Sequence, residues 1–162
     1  MRATGIQLLN VCCAHREIGP GYAVRRMIFP VAIHYRIDPN RKRIWTACIG
    51  NVNPKEIRKH FQDLARDPIR PDRLNVLLDL TEMTSLPETD QLRAVSKDLK
   101  KHQAQLRFNA CAIVASRNVL FGMMRMFQAL ARNSFRTTQV FRTAAEAEAW
   151  LRPVVHQTHR AW

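Results

Sequence analysis

No apolar run in this 162-residue chain approaches the roughly 18 residues that a membrane-crossing helix requires, so membrane insertion is not expected. The nearest candidate, Ile6 to Ala14, is interrupted by Gln7 and Asn10, and Val11 before Cys12 is too bulky for a good signal-processing site. Cysteine is scarce and unmotivated by metal or redox chemistry. Cys12 and Cys13 are adjacent, Cys48 and Cys111 fall inside expected strands, and no C-x-x-C occurs. Such usage fits small buried thiols in a reducing, cytoplasmic compartment. A nucleophile with its base, or a carboxylate pair at a telling spacing, is also missing. No catalytic residue, cofactor or metal site is therefore assigned.

Positive charge, by contrast, is abundant. The formal net charge is +13, with arginine and lysine spread over every segment. Counterion release gives such a surface weak, sequence-independent affinity for polyanions. A dedicated nucleic-acid module would add a concentrated patch or interleaved aromatics; neither is present, so specific nucleic-acid binding is not expected.

The stretch Leu74 to Thr81 organises the rest. It is a short, nearly continuous apolar run ending in an acid and a hydroxyl, as suits a strand buried on both faces of a mainly parallel sheet. Before it, Val31, Ile33, Tyr35 and Ile37 alternate with more polar residues, the period of a half-buried strand. Asp38-Pro39-Asn40 is a turn, and a second strand over Arg43 to Ile49 completes an antiparallel hairpin. Asn53, Pro54 and Glu56 read as N-cap, first helical residue and capping box. Ile57, Phe61, Leu64 and Ala65 share one face of that helix.

After the central strand, Ser85-Leu86-Pro87-Glu88 carries similar helix-start chemistry, and Leu92, Val95 and Leu99 form a buried stripe. Phe108 to Ala115 is a further buried strand. Leu120, Met123, Met124, Phe127 and Leu130 define a methionine-rich helix, and Gly122 within it suggests close approach of a strand or ligand. Phe135 to Phe141 is an edge strand. Thr143 to Glu146 opens a last helix through Trp150 and Leu151, ended by Pro153. The fold class is α/β, in the order β-β-α-β-α-β-α-β-α, with a mainly parallel mixed sheet and right-handed crossovers. Residues 1–27 are expected to form a poorly structured extension, with Met27 a candidate start, residues 28–152 the domain, and residues 153–162 a flexible tail.

Three stretches resemble a known family: Val76-Leu77-Leu78-Asp79-Leu80-Thr81, Phe121 to Phe127, and Val140-Phe141-Arg142 continuing through Ala147 to Leu151. In order and spacing they are similar to the STAS superfamily, more narrowly its SpoIIAA-like (STAS/CRAL-TRIO-like) bacterial members, over about residues 30 to 152. The resemblance implies a non-catalytic regulatory or protein-interaction module. In the anti-sigma-factor antagonists of that superfamily a phosphorylated serine opens the helix after the central strand. Here Glu88 falls at that place, or Thr89 if the alignment slips by one, a departure from the family's serine that puts the phosphorylation switch in question.

Open α/β sheets place their sites at the carboxyl ends of the strands. The expected recognition surface therefore combines Thr81, Thr84, Ser85 and Glu88 from one loop with Ser116, Arg117 and Asn118 from the next. Phe121 and Met124 would supply an apolar wall. The expected occupant is a protein partner, through docking or self-association. A small apolar, lipid-like or anionic ligand is the alternative.

Overall fold

A computed structural model describes residues 32–156; the extension expected over residues 1–27, with Met27, and the tail beyond residue 156 lie outside them. The element order is β1 (Ile33–Asp38), β2 (Arg43–Cys48), α1 (Pro54–Arg66), β3 (Leu74–Asp79), α2 (Thr89–His102), β4 (Phe108–Val114), α3 (Asn118–Leu130), β5 (Thr137–Phe141) and α4 (Ala144–His156). This is the expected order throughout.

The five strands lie side by side in sequence order, β1-β2-β3-β4-β5. β1 pairs antiparallel with β2, and β2 through β5 are parallel. An order that never reverses has a consequence for the helices. Right-handed crossovers between successive parallel neighbours all fall on the same side of the sheet. Accordingly α1, α2 and α3 contribute Phe61, Leu64, Leu92, Leu99, Leu120 and Phe127 to one core, with Ile44, Cys111 and Ile113 from the strands. The opposite face is left to α4. There Ala147 and Leu151 meet Leu77, Ala110, Ala112 and Val114, and the alanines of β4 let the helix settle close.

The central strand carries no charge before its end. Leu74, Leu77 and Leu80 are at most 4% exposed, as its near-continuous apolar run requires. Beside it, the buried Asn109 donates to the Asn75 side chain at 2.8 Å, where the register between β3 and β4 shifts. This pairing satisfies both amides at the irregularity.

Two helix boundaries differ from the sequence reading. α2 opens at Glu88, not Ser85: the Gln91 side chain accepts from the Glu88 amide at 2.9 Å. Ser85 is taken up elsewhere, because its hydroxyl accepts from the Val52 amide at 3.2 Å. α4 runs past Pro153 to His156; the proline removes one backbone donor without ending the helix. The start of α4 is as expected, with Thr143 and Glu146 in reciprocal capping bonds.

Candidate functional site

The carboxyl ends of the parallel strands are held together by loop-to-loop backbone bonds. Gly50, with φ +67°, turns the chain after β2 in a conformation that costs glycine little. Its amide donates to the Glu82 carbonyl at 2.9 Å, and its carbonyl accepts from the Thr84 amide at 2.8 Å. The loop after β3 is thereby zipped to the loop after β2, and the Ser85 hydroxyl extends the join to Val52.

Asp79 ends β3 and accepts from both the amide (3.0 Å) and the hydroxyl (2.7 Å) of Thr81. These bonds close a local turn. They engage one oxygen of Asp79 and tie Thr81 to its own loop.

The first turn of α3 forms the rest of the rim. Arg117 is its N-cap, and the Arg117 guanidinium points to the Thr84 carbonyl at 3.4 Å. Arg142, at the exit of β5, donates to the Ser116 carbonyl at 3.0 Å and to the Asn118 side chain at 2.9 Å. Its guanidinium carbon also lies 3.9 Å from the centre of the Phe121 ring, a cation–π distance. Neither arginine is in a salt bridge among the described residues. Two exposed guanidinium groups are thus fixed by carbonyls, an amide and a ring, and not by carboxylates. Both lie beside the positive end of the helix.

The structure therefore brings together Thr84, Ser116, Arg117, Asn118 and Phe121, with Ser85 directly behind Thr84. It sets the other expected residues apart. Thr81 is spent on Asp79, and Glu88 caps α2. Met124 is only 4% exposed and belongs to the core, so the apolar wall reduces to half-buried Phe121. The sequence reading overlooked Arg142. Its signal was positional, since a strand in parallel register with β4 must deliver its next residue to the same edge. Gly122 also differs from expectation: it is exposed, and an added Cβ would meet nothing within 4 Å. No strand approaches it.

The strand order, the single helix layer on one face and the closing α4 define an architecture that a family description can be tested against. The model of the SpoIIAA-like family matches residues 43–152, well over half of the chain. The chain belongs to the SpoIIAA-like family. A comparison with curated proteins gave no match. The match begins at β2 and ends within α4, so this SpoIIAA-like domain includes both arginines of the rim. In it, no helix among the described residues is long and apolar enough to cross a membrane. No group of three or more His, Cys, Asp or Glu side chains among the described residues could hold a metal ion. Burial pushes the Cys48 and Cys111 thiols up to about 12, which leaves them without nucleophilic thiolate near neutral pH.

Proposed function

We propose that this SpoIIAA-like domain is a non-catalytic regulatory module that docks an acidic segment of a protein partner against the start of α3. The observation that carries the reading is the pair Arg117 and Arg142, exposed, geometrically fixed and without carboxylate partners at a shared rim. A carboxylate approaching them finds two guanidinium forks, the exposed side chain of Asn118 and the half-buried ring of Phe121.

The test compares charge reversals by binding of an Asp/Glu-rich peptide and of partner proteins recovered with the wild type. Arg117→Glu and Arg142→Glu should each weaken both by about tenfold or more, as losing a charge-assisted contact does, with the thermal midpoint nearly unchanged. Arg41→Glu is the control, because Arg41 lies in the β1–β2 turn at the far end of the strands. An equal loss from Arg41→Glu would mean that net charge governs binding and would overturn the reading.

A further inference from the structure

Under the three-helix layer lies a cavity of about 140 Å³. It lies between α1, α2 and α3 on one side and β1 to β4 on the other, all of which contribute residues to its wall. Its wall is mostly carbon, with Ile33, Ile44, Phe61, Leu78, Val95 and Phe127 among its residues, and no lysine, arginine, aspartate or glutamate among the described residues lines it. Besides the thiols of Cys48 and Cys111, its polar side chains are Thr46, His60 and Gln91, and the Gln91 Oε1 already accepts from the Glu88 amide. The Thr46 hydroxyl, on a residue 2% exposed, and the Nδ1 of His60 are both buried without a hydrogen-bond partner.

These two groups belong to one end of the cavity. Thr46 stands opposite Tyr35 in the β1–β2 ladder, and the Tyr35 ring meets the His60 ring edge-on at 5.2 Å. Tyr35 itself is engaged, donating to Asp67 at 3.0 Å. Buried polar groups are normally paired, and leaving one unpaired is costly. Two such groups facing one apolar chamber call for an occupant that brings its own donor and acceptor.

We infer that this chamber is a binding site for a small neutral molecule, apolar over most of its surface, whose single hydroxyl group bonds to Thr46 and His60. A hydroxyl both donates and accepts, and so matches the threonine and either tautomer of the imidazole. An apolar cavity of roughly 150 Å³ accommodates a benzene-sized ring, which sets the scale: a phenol or a short branched alcohol. A carboxylate or ammonium head is excluded, since nothing in the wall would compensate its burial. The site is separate from the arginine rim, and its test does not involve Arg117 or Arg142.

Phenol and toluene are suitable probes, because they have similar shapes and differ in the hydroxyl. Titrated into the full chain and followed through the methyl NMR signals of Ile33, Ile44 and Leu78, both should bind in the chamber. Thr46→Val should lower phenol affinity by about tenfold and leave toluene affinity unchanged, while Thr46→Ser should restore phenol binding. His60→Leu should show the same selective loss from the other side. Leu78→Phe, which fills the chamber, should abolish binding of both probes. Absence of phenol-induced shifts at these methyls, or equal loss of phenol and toluene in Thr46→Val, would overturn the inference.

Discussion

Acidification should destabilise this domain through His60 in particular. Burial pushes its imidazole down to about 4 from the ordinary 6.5, only partly opposed by the carboxylate of Asp63. A histidine held neutral in the fold but free to charge in the unfolded chain makes the unfolded state bind more protons between those two values. Stability is then complete above about pH 6.5 and declines as the pH falls towards 4. At about 1.4 kcal/mol per tenfold, the whole difference amounts to roughly 3 kcal/mol, of which about 2 is already lost at pH 5. For a domain of this size that corresponds to a fall in thermal midpoint on the order of 8 °C. The assay is thermal unfolding of wild type and His60→Leu at pH 7 and pH 5. Carboxylates elsewhere shift both proteins together, so the informative quantity is the difference between them. The wild type should lose about 2 kcal/mol more than the variant over this interval. Parallel decline of the two curves would show that His60 is solvated in the fold and refute the argument.

Two further outcomes follow from packing. Leu151→Ala should cost about 3–5 kcal/mol, because Leu151 is fully buried under α4, whereas Trp150→Ala should cost clearly less, since Trp150 is half-buried and rests on Phe141 at 5.6 Å between ring centroids; chemical denaturation of both variants checks the order, and a larger loss from Trp150→Ala would contradict it. Gly122→Ala should stabilise α3 by up to about 1 kcal/mol, since its Cβ meets open space; a lowered midpoint would mean that a contact is made at that face.

Most of the architecture was legible because it rests on local rules. The alternation around Tyr35, the unbroken run at Leu77 and the capping chemistry of Asn53 and Thr143 each depend on near neighbours in the chain. The misreadings arose where a residue had two uses. Ser85 has helix-start chemistry, but its hydroxyl is taken by Val52, 33 positions earlier, and Glu88 caps the helix instead. Trp150 and Leu151 both close the last helix onto the sheet, but the alanines of β4 favour a close fit, so Leu151 is fully buried and Trp150 only partly. Met124 sits at the helical position that faces inward, so it lines the apolar chamber under the helices and not the rim. Arg142 was invisible because its partners, Ser116 and Asn118, lie 26 and 24 residues away. The chamber was the least legible feature: residues of three helices and four strands line it together, a conjunction that no single segment encodes.

The strictly sequential strand order also bears on how the chain acquires its structure. Each strand pairs with the one made just before it, so the sheet can extend in step with synthesis, and few long loops must close before contacts form. The two faces mature at different times. Each crossover helix covers its side as the sheet grows, but Leu77, Ala110, Ala112 and Val114 stay bare until α4 arrives at the end of the domain. A chain halted after Phe141 would carry a nearly finished sheet with one apolar face and the β5 edge open, the combination most prone to self-association. The last helix is thus the element on which protection of that apolar face depends.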